Sequence, residues 1–140
     1  MRFSIVVILF ISLRFYGQIE EIYCPEINNQ LKTNGVFPFG VASGDPTEHG
    51  VVLWTALNPF KLKPFRLVSC QVSEHLDFKE IGRTYQFEVE ISRGLSVKIN
   101  ASNLSQDKQY FYRFIYGEDT SVIGRTKTIG TNPDHLRFAV

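Results

Sequence analysis

The sequence predicts an all-β fold, an antiparallel β-sandwich of about seven strands. Three observations carry this. Short apolar-rich runs recur at roughly ten-residue spacing, separated by turn signals. Several alternate apolar and polar residues with period two, which sends one set to a core and the other to water. Beyond the first 17 residues no segment shows the repeat of an amphipathic helix.

The first 17 residues stand apart from this fold. Arg2 is followed by Phe3 to Leu13, an 11-residue apolar run broken only by Ser4 and Ser12. It falls far short of the ~20 residues a membrane-spanning helix needs. Position, flanks and length give a signal peptide over 1–17, with cleavage after Gly17. Residues 18–33 form an N-terminal leader, and 34–130 the sandwich.

The strands follow in order. Val36 to Ala42 comes first and ends in the turn residues Ser43, Gly44, Asp45 and Pro46. Gly50 to Leu57 is a continuous apolar strand closed by Asn58-Pro59. Trp54 within it is expected to be buried, so that Trp54→Ala would cost ~3–5 kcal/mol. In Arg66 to Ser73, Val68, Cys70 and Val72 share one apolar face, the expected core face. Tyr85, Phe87, Val89 and Ile91 alternate with Gln86, Glu88 and Glu90. After a turn at Arg93-Gly94, Leu95, Val97 and Ile99 alternate with Ser96, Lys98 and Asn100. Tyr110 to Tyr116 and Ser121 to Ile129 flank the hairpin turn Gly117-Glu118-Asp119. Leu104 lies six residues before Tyr110 across a polar loop. That spacing suits a tyrosine corner, in which the phenol hydroxyl returns to backbone upstream.

Composition narrows the function. Lys and Arg number 15 against 14 Asp and Glu, a net charge of +1. Removal of Arg2 and Arg14 with the signal peptide leaves 13 basic against 14 acidic residues, or −1. Neither balance gives the basic footprint of a nucleic-acid binder. Nothing in the mature chain calls for a membrane.

Reactive residues are scattered. His49, His75 and His135 each sit in a polar turn or linker, without the clustered spacing of metal ligands. Glu88 and Glu90 share a strand face and read as solvated carboxylates rather than a catalytic pair. Arg113 and Arg125 lie on the last hairpin. Cross-strand pairing with Glu88, Glu90 or Glu118 is expected of them, rather than phosphate binding. Gly40 and Gly44 lack the Lys-Ser/Thr that completes a phosphate loop. Asn100-Ala101-Ser102 and Asn103-Leu104-Ser105 match the glycosylation sequon and are read as chance. Cys24 lies in the leader and Cys70 mid-strand on the apolar face. A bridge between them would pin the leader, while a buried free thiol at Cys70 is the simpler reading. The sequence therefore gives no catalytic, cofactor-binding or metal-binding residue.

One stretch is distinctive. Phe37 to Leu57, FPFGVASGDPTEHGVVLWTAL, closely resembles the opening of the N-terminal domain of PhoD-like alkaline phosphatases/phosphodiesterases. The resemblance continues through Val68 to Ser73, Asp77-Phe78, Ser96 to Ile99, Leu104, Tyr110 to Phe114 and Gly124 to Thr128. It implies an immunoglobulin- or fibronectin-III-like sandwich that precedes a metal-dependent phosphoesterase domain. Three features depart from the family pattern. Cys70 stands where a strand Trp is usual, Gly94-Leu95 where Asp-Tyr is usual, and no twin arginine is present. Leu136 to Val140 resembles the first strand of the phosphoesterase domain, so residues 131–140 read as a linker and that strand's start. The aspartates, histidines, asparagine and cysteine that hold the family's iron and calcium lie further along and carry over to no residue here. The resemblance implies a non-catalytic accessory domain, here a fragment or truncated product, of an exported periplasmic or extracellular phosphoesterase. Its partner would be that enzyme's own catalytic domain. A free-standing exported sandwich that binds a protein or glycan is the alternative, since sandwich folds host both roles.

Overall fold

The structure, a computed structural model, describes residues 34–131 apart from 65, 91 and 93. The signal peptide, Cys24, His135 and the strand expected at Leu136 to Val140 lie outside the described residues. Eight strands form: β1 (Val41–Gly44), β2 (Gly50–Ala56), β3 (Leu67–Ser73), β4 (Arg83–Glu88), β5 (Ser96–Ser102), β6 (Gln109–Tyr116), β7 (Asp119–Thr120) and β8 (Gly124–Lys127). They make two antiparallel sheets. One has the order β1-β2-β5; the other has β4-β3-β6, with β7 and β8 both pairing to β6.

The two inner faces meet as the alternation requires. Val51 and Leu53 of β2 and Val97, Ile99 and Ala101 of β5 face Val68, Cys70 and Val72 of β3. Tyr110, Tyr112, Phe114 and Tyr116 project inward from β6, and all are buried. Tyr112 and Phe114 meet edge to face at 6.3 Å and 89°, a favoured aromatic geometry. On β4, Tyr85 and Phe87 pack against the core, while Gln86 and Glu88 are exposed.

Four expectations need correction. The first strand starts at Val41, not Val36, and runs through Ser43-Gly44. Phe37 to Gly40 is a turn closed by Gly40 N–H donating to Phe37 O at 3.3 Å, with Gly40 at φ +68°. Pro38 favours the second turn position through its fixed φ. The chain next reverses at Asp45, whose φ is +46°.

Trp54 is half-buried rather than buried. Val51, Leu53 and Thr55 take the inner face of β2, so the two-residue period sends Trp54 to the outer face between Ala42 and Lys98. The strand is apolar on both faces, and continuity alone did not distinguish them. The large cost expected for Trp54→Ala loses its basis.

The last strand is broken. Ser121 Oγ accepts the Phe114 N–H at 2.9 Å and donates to Val122 O at 2.8 Å. The side chain thus takes a ladder bond, and Val122 and Ile123 loop outward between β7 and β8. Finally, Arg113 pairs with no carboxylate among those expected. The register sets it opposite Gln71, and its Nε donates to Gln71 Oε1 at 2.9 Å. Glu88 lies opposite Leu67, well along the sheet.

The inner aromatic row is fitted closely. A Cβ on Gly124 would stand 2.3 Å from Tyr112 Cζ, and Tyr112, only 2% exposed, has nowhere to move. Gly124→Ala should therefore lower stability by about 1–3 kcal/mol, read from urea unfolding. Gly44→Ala, which meets nothing within 4 Å, should stay within ~0.5 kcal/mol. Equal midpoints for the two variants would show that the Tyr112 ring is not fixed.

Candidate functional site

The described chain enters at one end of the sandwich and leaves at the other. At the N-terminal end, Asn58 is buried and holds the incoming segment. Its Nδ2 donates to Asn34 O and Gly35 O, and its N–H to Val36 O. At the C-terminal end, Thr128 Oγ1 donates to Ser105 O at 2.6 Å and accepts the Lys108 N–H at 3.0 Å. Ile129 N–H donates to Thr47 O, and Asp107 N–H to Ile129 O. Tyr110 completes this end as a tyrosine corner: its hydroxyl accepts the Ser105 N–H at 2.8 Å.

A cleft of about 380 Å³ opens at the C-terminal end between loop 74–82 and loop 103–105. Its floor includes Val72, Leu104 and Tyr110, and its walls carry Glu74, His75, Glu80 and Arg83. The loop is held from inside. Ser73 Oγ donates to Glu80 O at 2.6 Å and accepts the His75 N–H at 3.0 Å. The Arg113 guanidinium stacks 4.3 Å from the Phe78 ring centre, with Phe78 buried at φ +53°. Arg83 Nη2 donates to Asn103 O across the cleft at 3.1 Å.

The charged groups here are engaged with one another. Glu74 pairs with Lys108, which raises the lysine's pKa through that hydrogen bond. Lys79 binds Asp77 and lowers its carboxyl below the usual range. His75 Nε2 lies 3.9 Å from Glu80. His49, at the same end, uses Nδ1 on Leu104 O at 3.0 Å. His75 and His49 are thus turn residues as expected, and they do not come together. Glu88 and Glu90 are exposed, and Arg125 lies opposite Phe111 on β8.

Among the described residues, no three of His, Cys, Asp and Glu gather to hold a metal ion. The described residues therefore include no donor set that fits the iron and calcium implied by the resemblance. Cys70 is free, fully buried and walled by apolar neighbours. Burial pushes its thiol from 9.0 up to about 12, the condition of an inert thiol rather than a nucleophile.

The profile for the PhoD-like phosphatase N-terminal domain matches residues 24–130. The chain belongs to this family. Alkaline phosphatase D of Bacillus subtilis (strain 168) is 38% identical over 112 residues, which cover 74% of this chain and 19% of that enzyme. A solved structure of PhoD superposes with a TM-score of 0.64 at 35% identity, over 69% of this chain and 20% of that one. A human fibronectin type III domain matches at a TM-score of 0.54 and 12% identity, over 80% of this chain and 87% of that domain. That likeness shows the fold. The PhoD-like chain thus spans about one fifth of each of the two relatives in its family. The feature that sequence reading missed is the cleft loop, whose Leu76 and Ile81 stand out in a charged stretch, Glu74 to Ile81, with no periodicity to mark them.

The thiol gives a test. Cys70 stays protonated in the fold but ionises in the unfolded chain once the pH passes its ordinary value of 9.0. Its contribution is complete below pH 9 and is lost as pH rises towards 12. Tyr85 and Tyr112, raised by burial from 10.0, add to the loss at higher pH. Unfolding free energy should therefore fall from pH 9 to 10, and Cys70→Ala should flatten that interval whatever it costs at neutral pH. An unchanged slope in the variant would show that Cys70 is not desolvated.

Proposed function

We propose that this chain is the non-catalytic accessory sandwich of an exported PhoD-like phosphoesterase, carried ahead of a metal-dependent catalytic domain. The observation that carries this is the extent of the match: residues 24–130 align with a single N-terminal domain, and the chain covers 19% of alkaline phosphatase D from Bacillus subtilis. The use of the polar residues supports it. His49, Ser73, Arg83, Arg113 and Thr128 are engaged in holding loops and strands to one another. The role is to present a rigid surface to the catalytic domain. Hydrolysis of phosphate esters belongs to that domain, as do any iron and calcium.

Export rests on the apolar run Phe3 to Leu13 behind Arg2. Among the described residues no helix is long and apolar enough to cross a membrane. Lacking a twin arginine, the chain would cross unfolded and complete its sandwich outside, in the periplasm or beyond the cell.

Two measurements test the reading. Purified residues 18–140 should not hydrolyse phosphate mono- or diesters with iron and calcium added; turnover that follows the protein through purification would overturn the non-catalytic role. In the second, residues 24–130 replace the matching segment of the Bacillus subtilis enzyme. The hybrid should keep phosphatase activity, because the sandwich supplies the same support. A soluble but inactive hybrid would favour the free-standing binding module instead.

A further inference from the structure

We propose that residues 24–33, the segment ahead of Asn34, dock in the groove beside Tyr116 and complete the sandwich at the end where the chain arrives. The groove holds about 250 Å³ and is lined by Leu62, Val89, Leu95 and Tyr116, together with the charged side chains Lys63 and Arg66. Val89, Leu95 and Tyr116 are buried, and Leu62 is 40% exposed. Hydrogen bonds fix the walls. Leu57 N–H donates to Leu95 O at 3.0 Å, Val89 N–H to Arg66 O at 2.7 Å and Lys63 N–H to the Tyr116 hydroxyl at 3.0 Å. The first argument is the tether. Asn58 follows Leu57 and binds the carbonyls of Asn34, Gly35 and Val36. The chain thus enters next to the residue that pairs with Leu95. Leu31 lies three residues before Asn34 and Ile27 seven, so they reach at most roughly 10 and 25 Å from it. A segment on so short a tether meets the groove at high effective concentration. The chain leaves at the Tyr110 end, about 20 Å away along β6.

The second argument is what the segment carries. The family profile starts at residue 24, so the residues just ahead of Asn34 belong to the domain and not only to the path from a signal peptide. Ile27 and Leu31 are the aliphatic side chains among residues 24–33. The apolar walls of the groove would take them out of water, which favours the docked arrangement. Charge points the same way. Residues 18–33 carry Glu20, Glu21 and Glu26 against Lys32. At the groove, Lys63 pairs with Asp119 at 2.7 Å, while Arg66 in the lining and Lys61 beside Leu62 are further positive charges facing an acidic segment.

Nuclear magnetic resonance on residues 18–140 tests this. The methyl groups of Leu31 or Ile27 should show nuclear Overhauser contacts to Leu62 or Leu95 within one molecule. Contacts from Leu136 or Phe138 in their place would overturn the proposal. So would contacts seen only between labelled and unlabelled molecules in a mixed sample, which would give the groove to a second copy. Amide exchange supplies the second readout. Ile27→Asp with Leu31→Asp should speed exchange at Lys63 and Val89, whose N–H groups fix the walls, by about tenfold or more, the scale of one buried leucine lost. The Ser105 amide, held by Tyr110 at the other end, should keep its rate. Unchanged exchange at Lys63 and Val89 in the double variant would overturn the proposal. Should Ser105 speed up equally, the whole fold has opened, and the methyl contacts in the unsubstituted chain decide alone.

Discussion

The structure depends on the inward row of β6. Tyr110, Tyr112, Phe114 and Tyr116 fill the space between the sheets, and three of the four carry a hydroxyl that must find a partner inside the protein. Each meets a different part of the chain. Tyr110 takes the Ser105 N–H, the Tyr112 hydroxyl faces the Ser43 side chain, and Tyr116 accepts from Lys63 N–H at 3.0 Å and donates to Lys63 O at 3.3 Å. One strand thus fixes the loop before it, the edge strand of the opposite sheet and the segment leading into β3. The bare backbone of Gly124 is what admits the Tyr112 ring against β8.

This constraint gives the sandwich its polarity. Tyr116 and Asn58 secure the end where the chain arrives; Tyr110 and Thr128 secure the end where it leaves. The loops at the leaving end are held by side chains rather than left to solvent. Ser73 closes the base of loop 74–82, and Arg113 stacks on Phe78 near its tip. Both contacts tie the loop to the sheet it leaves.

Much of this was legible in the sequence because period-two patterning is local. The inward face of β3, the alternation of β4 and β5 and the tyrosine corner at Tyr110 all follow from neighbouring residues. The errors arose where one face does not declare itself or where the partner is distant. Both faces of β2 are apolar, so the pattern points Trp54 inward, whereas it lies outward. Pro38 marked a turn inside a run that otherwise reads as strand. Arg113 faces Gln71 because of a register between β3 and β6, which depends on the whole sheet. The Tyr116–Lys63 contact joins residues 53 apart, and the cleft exists only once loops 74–82 and 103–105 meet.

The most direct test of the β6 row is a set of single Tyr→Phe changes at Tyr110, Tyr112 and Tyr116 in the full chain, read by equilibrium denaturation. Each keeps the ring and removes only the hydroxyl. If the three hydroxyls tie the sandwich together, each variant should lose about 1–2 kcal/mol, the scale of a hydrogen bond whose partner is left behind. Variants that all remain within ~0.5 kcal/mol of the unchanged protein would show that the rings pack without needing their hydroxyl partners, and would contradict the account.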